Sequence, residues 1–380
     1  MSKSLPSATQ GLSAQDQKEI DRLLEVLKHE SRFQLGYPGN RSFDYSPLFE
    51  FLNYTINNAG DPFMPGSHLT HTQAFEVEVL AWFAELFRFP WDETWGYVTN
   101  GGTEGNFYGL YLARELYPDG IVYYSQDTHY SIPKGLRLLK MQGIMIKSQS
   151  NGEIDYEDLY KNIEAHRNTP PIILANIGTT MKEAVDRVDR VRGILTDLSI
   201  SSFYIHADAA LSGMTLPFID APPPFDFTAG IDSISVSGHK IIGSPIPCGV
   251  VLATQENVDN ITRHIEYIGS LDTTLSGSRN GVTPLFLWYA IRKYGKEGFQ
   301  TIVTQCLDRA KYALAELDKV NCKAWRNPHA ITIMIPRPPK HIIRKWHIMV
   351  SGKDAHIVIK PGTTIELIDE FVVDIQNHLF

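Results

Sequence analysis

The stretch ISVSGHKIIG, residues 234–243, sets a histidine and a lysine directly after a short apolar run that reads as a β-strand. A lysine in that place is either a solvated strand end or an amine delivered to something lying beyond the strand. The surrounding pattern decides between the two. Residues 97–254 alternate β-rich runs, at 121–124, 144–146, 172–175, 203–206, 233–236 and 249–252, with helical segments such as 155–166 and 188–198. This alternation predicts an α/β fold with a mainly parallel sheet covered on both faces. Ligands of such sheets bind beyond the carboxyl ends of the strands, which is where His239 and Lys240 fall.

On the N-terminal side, Ser13 and Asp16 have the spacing of a capping box, and Ile20, Leu23, Leu24 and Leu27 recur at helical spacing. The amphipathic helix this predicts either lies on its own fold or reaches across to a second subunit. Further helices are expected from near Pro47 and over 72–87, before Pro90. On the C-terminal side, a long helix over 284–317 leads to strands at 330–335 and 356–359, a helical stretch to 350 and a final helix. The expected division is a helical dimerisation arm over 1–60, a large domain over 61–290 and a small α+β domain over 291–380.

Composition narrows the function classes. With 380 residues, 43% hydrophobic and 21% charged, the chain has the material for one large domain with a smaller one attached. A net charge of −8 without a long basic run argues against nucleic acid as a partner. Cys248, Cys306 and Cys322 lie far apart without CxxC spacing, so no metal site or disulfide framework is expected and a reducing compartment fits. No signal-peptide pattern and no apolar run of about 18 residues appears, which predicts a soluble, cytoplasmic protein with no membrane partner.

Four groups at predicted strand ends carry the chemistry. TNGGTEGN, residues 99–106, places glycines before a helical run, so that consecutive backbone N–H groups, with a hydroxyl beside them, make an anion cup. SQDTHYS, residues 125–131, follows a strand with His129. HADAA, residues 206–210, puts Asp208 at the end of a strand buried on both faces, where a carboxylate needs a cationic or strongly donating partner. Ser237, His239 and Lys240 follow in the opening stretch. An anion cup, a flat imidazole, a buried carboxylate and a lysine are the groups needed to hold pyridoxal 5′-phosphate: phosphate on the helix start, carboxylate at the pyridine nitrogen, lysine at the aldehyde.

The motifs TNGGTEGN, SQDTHYS, NIGTT (176–180), HADAA, SVSGHK (235–240) and SGSRNG (276–281), in this order across nearly the whole chain, resemble the pyridoxal-phosphate-dependent amino acid decarboxylases of the glutamate, aromatic and histidine group. The resemblance is greatest to the bacterial histidine-specific branch. It implies a fold like that of aspartate aminotransferase (fold type I), with a seven-stranded sheet, and a homodimer or higher oligomer whose active sites lie between subunits. It also implies Lys240 as the cofactor lysine, Asp208 as the pyridinium partner, and His129 stacked on the ring. Gly102, Thr103, Ser237 and His239 then surround the phosphate, while Thr180 and Ala210 line the ring. Tyr267, on a loop after the cofactor lysine, is the expected acid for Cα. Ser276, Ser278 and Arg279 are expected to reach the neighbouring subunit's phosphate, although Arg279 equally suits a dimer contact. The implied reaction turns L-histidine into histamine and CO2; a serine-specific branch, forming ethanolamine, resembles the chain over the same motifs. Polar side chains at Asn58, Ser67, His68 and His71 are the expected contacts for the substrate side chain.

Overall fold

The computed structural model describes residues 11–377 apart from 41, 65, 67, 68, 267 and 268. Its centre is a seven-stranded sheet of β1 (Thr94–Thr99), β2 (Ile121–Ser125), β3 (Gln142–Ile146), β4 (Pro171–Asn176), β5 (Tyr204–Asp208), β6 (Ser233–Ser237) and β7 (Gly249–Thr254). The strand order is β1-β7-β6-β5-β4-β2-β3, and only β7 runs against its neighbours. Strands β4, β5 and β6 are buried at every position, as strands covered on both faces are. The six strands expected from sequence are present. The seventh, β1, reads TWGYVT, in which two aromatics and a glycine replace the aliphatic run that marks the others.

Helices α1 (Ala14–Arg32), α2 (Gln73–Leu86), α3 (Gly102–Leu116), α4 (Ser131–Leu139), α5 (Tyr156–Ala165), α6 (Val188–Asp197) and the short α7 (Gln255–Asp259) precede a hairpin of β8 (Arg263–Ile265) and β9 (Ser270–Asp272). Helix α2 buries Val79, Leu80, Phe83, Ala84 and Leu86. The larger of these side chains each contribute roughly 1.5–3 kcal/mol on leaving water. Helix α3 lies so close to the sheet that a Cβ at Gly105 would stand 2.2 Å from Ser235 Oγ on β6.

Ser13 and Asp16 form the expected capping box of α1, Asp16 N–H donating to Ser13 Oγ at 3.1 Å and Ser13 N–H to Asp16 Oδ2 at 3.1 Å. No residue of α1 is buried, and Ile20, Leu23, Leu24 and Leu27 are all at least half exposed. Its apolar stripe therefore does not lie on its own fold. The segment after it does: Leu35 joins the small C-terminal core, and Tyr45 and Leu48 join the large one.

Helix α8 (Val282–Lys319) runs from the large core to the small one, with a kink at Gly295, whose φ is 58°. Leu285, Phe286 and Ala290 pack into the large core and Ala310, Ala313 and Leu317 into the small one, so the changeover falls between Cys306 and Ala310, beyond the position expected from sequence. The small domain is completed by β10 (Thr332–Pro336), α9 (Lys340–Trp346), β11 (Met349–Ser351), β12 (Asp354–Val358) and α10 (Ile365–Gln376), with sheet order β10-β12-β11. Among the described residues no helix is long and apolar enough to cross a membrane.

One buried ion pair ties these layers together. Glu76 of α2 is fully buried; its Oε1 accepts from the Val98 N–H of β1 (2.8 Å) and from Arg279 Nη1, and its Oε2 from Asn58 Nδ2 (2.8 Å). Arg279 Nη2 also donates to Gly60 O at 3.1 Å. Removing one partner leaves the other charge buried and unpaired. Glu76→Ala is expected to destabilise the protein by roughly 3–5 kcal/mol. Chemical denaturation of the variant beside the wild type checks this, and a loss under about 1 kcal/mol, the range of an exposed pair, contradicts it.

Candidate active site

Five of the strands that run in one direction deliver their C-terminal ends to one place. Beyond β1 come Asn100–Gly102, beyond β2 His129, beyond β4 Gly178 and Thr180, at the tip of β5 Asp208 and beyond β6 His239 and Lys240. They enclose a cavity of about 610 Å³. Gly102, Thr103, His129, Thr180, Asp208, Ala210, Ser237, His239 and Lys240, separated by up to 138 positions in the chain, all line it. The convergence follows from the topology, because parallel strands present the same end to the same side.

At one wall, the start of α3 faces the cavity with its first N–H groups, which have no carbonyl within the helix to pair with. A Cβ at Gly102 would stand 2.9 Å from Ser237 Oγ and 3.1 Å from the Ala210 Cβ, so only glycine leaves this backbone open beside the serine hydroxyl. Glu104 steadies the turn by accepting from Asn100 N–H (3.0 Å) and from Tyr97 Oη (3.0 Å).

Asp208, also lining the cavity, is buried and its carboxylate is met by donors. Oδ2 accepts from Asn106 Nδ2 at 2.7 Å and Oδ1 from the Ala210 N–H at 3.1 Å. Asn106 is in turn bonded to His206 Nε2 (3.0 Å), and His206 Nδ1 to Ser233 Oγ (2.7 Å), which also accepts from Tyr204 Oη (2.9 Å). Burial pushes the His206 imidazole down to about 3, so it is neutral. The network assigns its proton to Nε2, because Asn106 must present its carbonyl to His206 in order to donate its amide to Asp208. Sequence reasoning missed Asn106, His206 and Ser233. The available signal was the two-residue period of β5, which puts Tyr204, His206 and Asp208 on one face.

Lys240 is half-buried, and loss of water holds its amine below the ordinary lysine value, while the Asp208 and Glu183 carboxylates pull the other way. A lysine so placed is more readily neutral and nucleophilic. His129 Nδ1 is 2.8 Å from Ser131 Oγ and accepts from the Ser131 N–H at 3.3 Å, which turns the ring; burial lowers its affinity for a proton. His239 Nδ1 meets Cys248 O at 2.9 Å, and burial likewise lowers its pKa.

Several expected residues stand elsewhere. Asn58 is fully buried: it donates to Glu76 and its Oδ1 accepts from Thr72 N–H (2.8 Å) and Thr72 Oγ1 (3.1 Å), so its polar atoms are committed to the fold rather than to a substrate. Arg279 is likewise buried against Glu76, over the Tyr97 ring, which removes it from a reach to another subunit. Ser278 Oγ accepts from Asn57 Nδ2 at 3.1 Å, whereas Ser276 lies at the cavity of its own chain. His71 does not line that cavity; its Nδ1 accepts from the Gln73 N–H (3.4 Å) at the start of α2. Ser67, His68 and Tyr267 lie outside the described residues.

The site fits pyridoxal phosphate by its donor set. The α3 start, with Thr103 and Ser237, suits a phosphate; the buried, hydrogen-bonded Asp208 suits a protonated ring nitrogen; the desolvated Lys240 suits an aldehyde; and His129 offers a flat face.

Comparison with known proteins points the same way. The family model described as the pyridoxal-dependent decarboxylase conserved domain matches residues 29–323. The chain is similar to the histidine decarboxylase of Mesorhizobium japonicum, with 50% identity over 97% of this chain and 99% of that one. It is also similar to the histidine decarboxylase of Morganella morganii, with 46% identity over 97% and 99%. Among solved structures, the L-methionine decarboxylase of Streptomyces sp. 590 shares the fold with a TM-score of 0.87 at 24% identity, covering 99% of this chain and 97% of that one. With the family model spanning the whole seven-stranded sheet and α8, and the cavity furnished as that family requires, the chain belongs to the pyridoxal-dependent decarboxylases.

Proposed function

We propose that this protein decarboxylates L-histidine to histamine and CO2, with pyridoxal 5′-phosphate as cofactor. The observation that carries the reading is the meeting of Lys240, Asp208, His129 and the α3 start in one cavity, in a chain whose full-length relatives are histidine decarboxylases. When bound, the cofactor supplies an electron sink for the pair that remains as CO2 departs.

The chain's own residues do the rest. The α3 N–H groups, Thr103 and Ser237 would hold the phosphate, and Lys240 would hold the aldehyde end. Asp208, which accepts from Asn106 and the Ala210 N–H, would face the ring nitrogen and hold a proton there. His129 packs on the ring face and Thr180 and Ala210 close its edges. These contacts would fix the orientation of what they hold as much as its affinity. Tyr267 delivers the proton that replaces the carboxylate at Cα.

The reading includes a homodimer in the cytoplasm. The exposed stripe of Ile20, Leu23, Leu24 and Leu27 on α1 suits a second copy, and three free, buried cysteines suit a reducing compartment.

The deciding experiment compares kcat/KM for L-histidine, L-serine and aromatic amino acids on one preparation. Histidine is expected to lead by on the order of 100-fold or more, since a site built for the imidazole leaves buried groups unpaired with other side chains. Preference for serine defeats the substrate assignment and leaves the family standing. Lys240→Ala should fold as the wild type does, yet yield no cofactor-bearing peptide after borohydride reduction; an adduct on another lysine refutes the placement. Asp208→Asn is expected to retain cofactor and lose kcat on the order of 100-fold, and wild-type turnover removes the carboxylate from the chemistry.

A further inference from the structure

The loop 178–184, which brings Thr180 to the cavity, is fastened to several of its neighbours. Lys182 Nζ donates to Asp127 Oδ2 at 3.3 Å, on the loop that carries His129. Asn327, just before the small sheet, donates from Nδ2 to Lys182 O and to Asn151 O, both at 2.8 Å. His356 of β12 places Nδ1 2.9 Å from Met181 O and Nε2 3.2 Å from Gly36 O. The segment beginning at Gly36 continues to Asn40, whose N–H donates to Lys240 O at 2.9 Å.

The strongest fastening is Glu183. It is buried, 2% exposed, and has a left-handed backbone with φ of 50°. Its Oε2 accepts from the N–H groups of Ile331 (3.0 Å) and Thr332 (2.8 Å), where β10 begins, and its Oε1 from Ser212 Oγ at 3.3 Å. A buried carboxylate and a left-handed non-glycine backbone are each unfavourable on their own, and such a combination persists only where the surroundings impose it. Burial raises the Glu183 carboxyl to about 7, and its charge acts on Lys240 together with that of Asp208.

We propose that Glu183 is a positioning residue: by gripping the amides of Ile331 and Thr332, where the chain enters β10, it locks the small domain to the loop bearing Thr180, and so sets the wall of the cofactor cavity. The inference rests on the reading of that cavity as the pyridoxal phosphate site. It assigns the small domain a part in shaping the cavity although none of its described residues lines it.

Three variants of the full chain test it, with cofactor dissociation constant, kcat, KM and melting temperature measured for each. Glu183→Ala is expected to weaken cofactor binding and to lower kcat by roughly tenfold each, with little change in KM, since small displacements at a site cost that much. Glu183→Gln keeps a carbonyl for both amides and an N–H for Ser212, and is expected to restore both quantities to within about twofold of wild type. An Ala variant that melts earlier but binds cofactor and turns over normally overturns the proposal, as does a Gln variant no better than Ala. Should Glu183→Ala fail to fold, Asn327→Ala frees the same loop at Lys182 O; weakened cofactor binding by about threefold supports the proposal and unchanged binding overturns it. A wild-type chain that takes up no pyridoxal phosphate defeats the functional reading itself, a result distinct from normal uptake in both wild type and Glu183→Ala.

Discussion

The close approach of α3 to the sheet is the constraint on which the site depends. With glycine at position 105 the helix settles against Ser235, and two consequences follow from that one distance. Its first turn reaches the ends of β5 and β6, so that unpaired N–H groups face the cavity. One turn later Asn106 reaches Asp208 and supplies the donor that a carboxylate at the end of a buried strand needs. A bulkier residue at 105 would separate both pairs together, because the helix moves as a rigid unit.

The cavity itself owes its position to strand direction. Strands β1, β2, β4, β5 and β6 point the same way, and each contributes lining residues at or beyond its tip. The walls of those loops are held from behind by groups that do not line the cavity, chiefly His356, Asn327 and Glu183. Rigid strands set the reach of each side chain, and these supports set the loops between them.

Much of this was legible in the sequence, and the parts that were not share a cause. Aliphatic runs marked six of the seven strands of the large sheet, and motifs placed directly after them gave the cavity lining, since a strand end fixes where the next residues go. The polar residues Asn58 and Arg279 were misread because their partner, Glu76, lies inside a helix whose other buried residues are mostly apolar. One buried glutamate in such a helix gives no sign of the residues it binds, 18 positions before it in Asn58 and 203 after it in Arg279. Glu183 was missed for the opposite reason: a charged residue in a loop between motifs looks solvated until the small domain is seen to close over it. Asn106 and His206 sat within quoted motifs, yet their bonding to Asp208 depends on how α3 crosses the sheet.

The chain of Tyr204, Ser233, His206 and Asn106 has one further property. Every hydrogen in it points toward Asp208, and the only member able to reverse that direction by gaining a proton is His206, which stays neutral far below neutrality. The chain therefore behaves as a frozen dipole, an electret inside the sheet, whose positive end rests permanently on the carboxylate. Acidification of the surroundings leaves its polarity alone.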